Sequence, residues 1–217
     1  MQCSHIHLPG KVIKILNVAN IDVLLDQVTS EDDLPFWAKL WPAARGLAVH
    51  LWQDKGLCGI KALELGAGTG LGGIVAALRG AHVIQTDFIP DALLFCQVNA
   101  ALNDVSNISY ELADWRDFSI EGKYPLIFGS DILYEKELHR CLVKIMDDKL
   151  APGGRILIAD PGRKTVMNFL MLAEATGFSW EVEEVIIAQI QGAKAQIKEA
   201  GTTPRTITID ILELSRA

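Results

Sequence analysis

The chain has 217 residues, of which half are apolar and 22% are charged. This composition excludes a disordered chain, a collagen and a coiled coil, because it supplies enough apolar surface for a sizeable core. The formal net charge of −7 argues against electrostatic binding of nucleic acid or anionic lipid over a broad surface. At roughly 150 residues per domain, the length favours a single domain over residues 1–217.

The cysteines and the hydropathy pattern indicate a cytoplasmic protein. Four scattered cysteines without a C-x-x-C pair fit reduced thiols better than a disulfide frame or a zinc site. No apolar run approaches the roughly 18 residues that a membrane-spanning helix needs, and the start of the chain lacks the regions of a signal peptide. Cys3, His5 and His7 lack a fourth ligand and a second shell, so we expect no metal.

The predicted elements begin with an ambiguous stretch. Residues 1–28 fit a small ribbon or cap, placed before a core that we assign to residues 29–217. Within that core, Trp41-Pro42 predicts the start of a helix, because proline is favoured in the first helical turn. Phe36, Trp37, Trp41 and Trp52 form an aromatic group that we expect to cover the core and the edge of a crevice.

Short β-branched or apolar runs then alternate with longer segments of helical periodicity, which predicts crossover units and a mostly parallel sheet. The predicted strands are residues 60–65, 82–86, 108–112, 126–130 and 155–160. The predicted helices are residues 71–79, 90–102, 135–149 and 164–175. The first and last of these helices are followed by glycine, and the second opens with proline, as helix boundaries commonly are.

Two β-rich stretches, residues 180–190 and 206–214, follow the last helix and predict a closing hairpin. The polar insertion at 191–204 fits either a flap that contacts a substrate or a surface loop. The sequence therefore predicts an α/β fold with a Rossmann-like, doubly wound sheet of seven strands, mostly parallel and ending in an antiparallel hairpin.

A glycine-rich turn between the first predicted strand and helix is the most informative motif. It reads Glu64-Leu-Gly66-Ala-Gly68-Thr-Gly70, and such glycines let a loop approach a ligand closely. The stretch from Gly68 onward also satisfies the G-x-G-x-x-G pattern of dinucleotide sites. However, the negative charge of Glu64 would repel a pyrophosphate and suit a ligand with an ammonium group, such as S-adenosylmethionine.

Acidic side chains follow the next two strands, where the strand ends of a doubly wound sheet face a crevice. Asp87 can accept both hydroxyls of a ribose, and it can also cap the helix that Pro90 opens; the two roles are compatible. Asp114 and Trp115 can hold an adenine, since the carboxylate can accept from the exocyclic amine while the indole packs on the base. A solvated turn with a core tryptophan is the alternative.

The fourth strand ends in Ser130-Asp131-Ile-Leu-Tyr134. This spacing can direct the acid and the phenol into one crevice, although a helix-capping Asp131 and a core Tyr134 fit the pattern equally well. The fifth strand ends in a turn sequence that carries Arg163. Arg163 can close over a substrate or pair with an acid, and the sequence favours neither.

The motifs around Glu64–Leu71, Asp87, Asp114-Trp115 and Asp131-x-x-Tyr134 resemble the seven-strand S-adenosylmethionine-dependent methyltransferases of family 16, the protein lysine methyltransferases. The resemblance extends from about Pro35 to the C-terminus. The segments 35–42 and 158–163 are most similar to enzymes that act on the electron transfer flavoprotein β subunit, whereas Ala67 and Thr69 in the glycine loop are closer to other branches of the family.

This resemblance implies S-adenosylmethionine as cofactor, with S-adenosylhomocysteine as product, and an enzyme acting on a protein partner such as the electron transfer flavoprotein β subunit. We expect a monomer. It implies two catalytic residues beside the acceptor amine, Asp131 and Tyr134. The residues that it assigns to the cofactor are Trp41, Glu64, Gly66, Gly68, Asp87, Asp114, Trp115 and Asp131.

Three alternatives remain open from the sequence. The first is a small-molecule or nucleic-acid methyltransferase on the same fold, and the missing Asn/Asp-Pro-Pro-Tyr motif weakens its nucleic-acid version. The second is a nucleotide-binding module without catalysis. The third is a nicotinamide-dependent oxidoreductase.

Overall fold

The computed structural model describes residues 1–20, 22, 34–188 and 206–216. The predicted insertion at 191–204 lies outside the described residues. The described strands are β1 Gln2–Leu8, β2 Lys11–Asn17, β3 Lys61–Leu65, β4 His82–Asp87, β5 Ile108–Leu112, β6 Tyr124–Ser130, β7 Leu150–Asp160, β8 Ser179–Ala188 and β9 Thr206–Ser215. The helices that build the core are α1 Pro42–Gln53, α2 Leu71–Leu78, α3 Pro90–Leu102, α4 His139–Lys149 and α5 Val166–Ala175.

The central sheet has seven strands in the order β5-β4-β3-β6-β7-β9-β8. Strands β5, β4, β3, β6 and β7 run parallel, whereas β9 is antiparallel to both β7 and β8. The predicted mostly parallel sheet with a C-terminal antiparallel hairpin is therefore confirmed. The chain builds outward from β3 to β5 and then returns to the other side of β3, which creates a topological switch point between β3 and β6.

Helices cover both faces of the sheet, because the central strands are apolar on both sides. Successive residues of a strand point to opposite faces. Leu126 and Phe128 of β6 pack with α1 and α2 in one core, and Ile127 packs with α4 and α5 in the other. The sequence thus builds a doubly wound sheet with two apolar layers.

Two boundaries differ from the predicted ones by four residues or more. The fourth predicted helix begins with a short 3₁₀ turn, Lys136–Leu138, before α4 starts at His139. Strand β7 begins five residues earlier than predicted, at Leu150, directly after α4. Its pairing with β6 is irregular between Tyr124 and Leu126, and Gly153 adopts a positive φ of 70° there. A bulge of this kind absorbs the extra residues within the strand.

The ambiguous N-terminal stretch contains an antiparallel ribbon of β1 and β2. Its apolar side joins the core on the α1 and α2 face through Ile6, Leu8, Ile13 and Ile15. Val18, just after β2, donates a hydrogen bond to the Ala38 carbonyl at 2.8 Å. The ribbon is therefore fastened to the segment that leads into α1. Among the described residues, no helix is both long and apolar enough to cross a membrane.

Candidate functional site

A cleft opens at the carboxyl ends of β3, β4, β5 and β6, on the side of the switch point where ligands bind in sheets of this topology. The segment before α1 closes its other side. The predicted site residues that line it are Trp41, Gly66, Gly68, Asp87, Asp114, Trp115, Asp131 and Tyr134. Residues up to 93 positions apart in the sequence are thus brought to one edge of the sheet.

The glycine loop between β3 and α2 needs glycine for two reasons. Gly66, Gly68 and Gly70 have φ values of 64°, 52° and 79°, in the left-handed region that disfavours a side chain. A Cβ atom at Gly66 would lie 3.0 Å from both the Trp115 indole and Ile132, and one at Gly68 would lie 3.3 Å from the Trp37 carbonyl oxygen. The loop therefore forms a close-fitting backbone floor for the cleft.

Asp87 is anchored by main-chain amides at the end of β4. Its Oδ2 accepts a hydrogen bond from the Gly68 amide at 2.9 Å, and its Oδ1 accepts one from the Ile89 amide at 3.1 Å. It thereby fixes the glycine loop and the entry to α3 while it lines the cleft. Burial raises the pKa of this carboxyl, although the amide hydrogen bonds oppose the shift.

Asp114 is held by a neighbour that the sequence prediction did not consider. Both of its oxygens contact the Arg116 guanidinium at 2.7–2.9 Å, and Oδ1 also accepts from the Arg116 amide at 2.8 Å. The hydrogen bond with Arg116 lowers the pKa of Asp114. The adjacent Trp115 indole stands beside Gly66, so this end of the cleft has one aromatic wall and one anchored carboxylate.

Glu64 does not lie where the sequence predicted. The prediction was that its carboxylate faces a bound ligand. The described side chains lining the cleft do not include it. It is 3% exposed beneath the loop, where Oε2 accepts from the Gly73 amide at 3.0 Å and from Gln85 at 2.6 Å. Burial raises its pKa to about 8. The physical reason is register: Glu64 faces the layer of α2, and its carboxyl caps the free amides at the start of that helix.

Aromatic side chains form the wall opposite the loop. Phe36 contacts Trp41 and Tyr134 edge to face, with ring centroids 6.1 and 6.3 Å apart. The Trp41 indole donates to the Phe36 carbonyl oxygen at 2.8 Å, which fixes its orientation. The Lys39 ammonium lies 4.3 Å from the centre of the Trp41 ring. This wall therefore already accommodates a cation, as aromatic faces do.

Asp131 at the end of β6 is held in an unusual conformation. Its φ of 58° is uncommon for a residue with a side chain. Its amide donates to the Ala159 carbonyl oxygen at 2.9 Å, and its Oδ1 accepts from Arg163 at 2.6 Å. Arg163 also donates to the fully buried Asp160 at 2.8 Å. The sequence offered the Asp160-to-Arg163 turn as a signal, but it could not reveal this link to Asp131.

The charge of Asp131 is set by opposing effects. Burial raises its pKa and dominates, whereas the hydrogen bond and the charge of Arg163 lower it. The side chain is 9% exposed, and its Oδ2 has no hydrogen-bond partner among the described residues. A hydrogen bond from the Ala43 backbone also lowers the pKa, so Asp131 is a carboxyl held by Arg163 and by the main chain at the edge of the cleft.

In the described part of the chain, no group of three or more His, Cys, Asp or Glu side chains is arranged to hold a metal ion. The features that the structure does bring together fit a nucleoside with a charged tail. These features are the glycine loop, where a Cβ would fill the space, the Asp87 carboxylate at the end of β4, the Trp115 indole and the Trp41 ring, which can face a cation.

Comparison with known proteins places this arrangement in a family. A family model described as lysine methyltransferase matches residues 25–174. Protein N-lysine methyltransferase METTL21A of Danio rerio is 37% identical over 131 residues, which cover 56% of this chain and 58% of that protein. Electron transfer flavoprotein beta subunit lysine methyltransferase of Danio rerio is 31% identical over 135 residues, covering 59% and 51%.

One further relative carries a different name: histone-arginine methyltransferase METTL23 of Xenopus laevis is 35% identical over 103 residues, 44% of each chain. The chain matches less than two-thirds of the length of each of these three relatives.

Two solved structures share the fold. Magnesium protoporphyrin IX methyltransferase from Synechocystis, with bound SAM, has a TM-score of 0.57 at 18% identity, covering 80% of this chain and 78% of that one. A TehB-like SAM-dependent methyltransferase from Corynebacterium glutamicum has a TM-score of 0.57 at 18% identity, covering 79% and 88%. The predicted Rossmann-like fold is confirmed by these likenesses.

Proposed function

The chain belongs to the lysine methyltransferase family, and from that premise we propose that it transfers a methyl group from S-adenosylmethionine to a lysine side chain of a protein. One observation carries the proposal most directly: Asp131 lines the same cleft as the glycine loop, Asp87 and Trp115. An acceptor amine and a methyl donor can therefore meet in this cleft.

The position of Glu64 supports this cofactor over a nicotinamide dinucleotide. A dinucleotide site uses the free amides at a helix N-terminus to bind its phosphates. Here the Glu64 carboxyl already accepts from the Gly73 amide in the first turn of α2. A ligand without phosphate suits that loop better.

The residues that would hold the cofactor follow from the geometry. Asp87 has a further acceptor site for a ribose hydroxyl, because a carboxylate offers about four such sites and the amides of Gly68, Phe88 and Ile89 use three. Trp115 and Asp114 suit the adenine, and Gly66 and Gly68 suit a close approach of the backbone. Trp41 suits a cationic group. When bound, the cofactor supplies an electrophilic methyl group on a sulfonium, a good leaving group.

The protein then contributes to catalysis mainly by positioning the two reactants. Alignment of two reactants in a near-attack arrangement can supply about 7–11 kcal/mol in favourable systems. We assign Asp131 to orienting the acceptor amine and accepting a hydrogen bond or a proton from it. Burial in the cleft lowers the pKa of the amine, whereas the charge of Asp131 opposes that shift. Tyr134, beside Phe36, forms the aromatic wall along the lysine stem.

For the protein acceptor, the electron transfer flavoprotein β subunit is the first candidate, because a relative named for that substrate matches the chain. A net charge of −7 also favours association with a lysine-bearing surface. The relative named as a histone-arginine methyltransferase makes arginine the second acceptor class to examine.

Two measurements test the proposal. S-adenosylhomocysteine should raise the melting temperature and NAD should not, because only a ligand that binds the folded state stabilises it. Labelled methyl from S-adenosylmethionine should then enter a discrete protein band in a cell lysate and in purified electron transfer flavoprotein.

The possible failures have different meanings. Stabilisation by NAD alone would refute the methyltransferase proposal. Label confined to small molecules would refute the protein acceptor while retaining the cofactor. Stabilisation by S-adenosylhomocysteine without transfer to any fraction would indicate a binding module.

A further inference from the structure

Arg163 occupies a position that the proposed mechanism does not use. It follows β7, yet its guanidinium spans to Asp131 at the end of β6 with a distance of 2.6 Å. Its Nη1 donates to Asp160 Oδ2 at 2.8 Å, and its main-chain amide donates to Asp160 Oδ1 at 2.7 Å. Arg163 is therefore clamped on one side and holds Asp131 with the other.

The clamp is rigid because its base is buried. The Asp160 side chain is fully buried, whereas that of Arg163 is 28% exposed. Two carboxylates hold the guanidinium in its charged form: burial lowers the pKa of Arg163, but the hydrogen bonds with Asp131 and Asp160 outweigh that effect and raise it. Charge-assisted bonds of this kind are about twice as strong as neutral ones.

The contact with Arg163 limits the hydrogen bonds that Asp131 can accept from a substrate side chain. Its Oδ1 is bonded to Arg163, and its Oδ2 is turned away from solvent. A guanidinium is bound best by a carboxylate whose two oxygens face it as a fork. An amine needs only one acceptor site, so it depends less than a guanidinium does on a carboxylate that presents both oxygens.

We propose that Arg163 is a positioning residue that selects lysine over arginine as acceptor, because it ties Asp131 into an arrangement that cannot present both oxygens to a guanidinium. This inference rests on the proposed methyl transfer. The formal charge of Asp131, Asp160 and Arg163 together is −1, which attracts a cationic side chain. The other charged side chains that line the cleft are Lys39, Glu135, Arg116, Asp87 and Asp114. The first three are exposed, and Glu135 follows Asp131 by four residues in the same segment.

The test compares Arg163 with a matched arginine elsewhere. Arg155 also bridges two acids, Asp54 and Glu213, but the described cleft lining does not include it. The variants are Arg163→Gln, Arg163→Lys and Arg155→Gln. Since Arg163→Gln leaves Asp160 buried without its partner, the double variant Asp160→Asn/Arg163→Gln provides a folded alternative.

The first readout is chemical. Labelled lysate protein is hydrolysed, and methyllysine is separated from methylarginine. The wild type should yield methyllysine. Arg163→Gln should lose at least about tenfold in kcat/KM for methyl transfer to lysine, and Arg163→Lys should recover part of that loss. Arg155→Gln should match the wild type. Affinity for S-adenosylhomocysteine should stay within about twofold in all variants, since none of them removes a group assigned to the cofactor.

The second readout does not need turnover. The carboxyl signal of Asp131 is followed by NMR in the presence of S-adenosylhomocysteine while n-butylammonium or n-propylguanidinium is added as a side-chain probe. The wild type should bind the ammonium probe more tightly, and the double variant should lose at least about fivefold of that preference.

The outcomes separate the inference from the proposed function. Methylarginine as the main wild-type product, equal binding of the two probes, or equal losses in the Arg163 and Arg155 variants would each overturn the inference. Absence of transfer to any protein by the wild type would refute the proposed function, and the probe binding would still decide whether Arg163 selects an amine.

Discussion

The side chain of Asn99 pairs with the main chain of Leu16 in both directions. Asn99 Oδ1 accepts from the Leu16 amide at 2.7 Å, and its Nδ2 donates to the Leu16 carbonyl oxygen at 3.0 Å. The same Nδ2 donates to the Thr69 carbonyl oxygen at 2.9 Å. One buried amide on α3 therefore joins the N-terminal ribbon to the glycine loop of the cleft.

Removal of this amide should weaken both the ribbon and the loop. We expect Asn99→Ala to lower the free energy of unfolding by about 2–4 kcal/mol, because three main-chain groups lose their buried partner. It should also reduce the affinity for S-adenosylhomocysteine. Asn107→Ala is the matched control, since Asn107 donates to the Ala77 and Ala81 carbonyl oxygens away from the loop. Urea unfolding and calorimetric titration measure the two effects, and equal affinity losses in both variants would contradict the link to the loop.

Asp131→Asn should abolish methyl transfer while the affinity for S-adenosylhomocysteine stays within a few-fold. The amide keeps the size of the side chain but removes the charge that orients an amine. Asp54→Asn is the control, because Asp54 is also paired with an arginine, Arg155. Transfer of labelled methyl and calorimetric titration distinguish the roles. Equal loss of transfer and affinity would make Asp131 a cofactor or folding residue.

Gly68→Ala should weaken cofactor binding more than its effect on stability explains. The new Cβ would stand 3.3 Å from the Trp37 carbonyl oxygen, at a φ of 52°. Gly59→Ala imposes a comparable strain at a φ of 78°, where a Cβ meets no described atom within 4 Å. Each substitution should cost about 1–2 kcal/mol of stability for the left-handed conformation. Only Gly68→Ala should lower the affinity for S-adenosylhomocysteine, and a similar loss in Gly59→Ala would refute the close approach at the loop.

The stability of the protein should fall as the pH rises, in part through Glu64. Its pKa is raised from 4.5 to about 8 in the folded state, so the folded protein holds the proton more tightly than the unfolded chain. The stabilisation is complete below pH 4.5 and is lost as the pH rises through 8.

Glu64→Gln should flatten this dependence. The variant should gain up to about 4 kcal/mol relative to the wild type between pH 5 and pH 9. The glutamine side chain can be accommodated, because its carbonyl oxygen can take the place of Oε2 and accept from the Gly73 amide and from Gln85. Urea unfolding at both pH values measures the difference, and parallel profiles of the two proteins would contradict a protonated Glu64.

The strand ends of the site were predictable because the signals are local. Gly66, Gly68, Asp87 and Asp131 each follow an apolar run that reads as a strand, and parallel strands bring their carboxyl ends to one edge. The sequence could not show that Glu64 lies beneath the loop, because the direction of its side chain depends on which face of β3 receives α2. Its neighbours Gly73 and Gln85 are 9 and 21 residues away.

By itself, the sequence determined the alternation of strands and helices, the glycine loop and the acids after the strands, because periodicity and the special conformations of glycine and proline act over a few residues. The tertiary structure alone decided that Arg163 holds Asp131, that Asn99 fastens the ribbon and that Glu64 lies beneath the loop. These contacts join groups that are far apart in the chain, 32 residues for Arg163 and 83 for Asn99. They depend on the order of the strands and on the face that each side chain occupies, which local patterns do not encode.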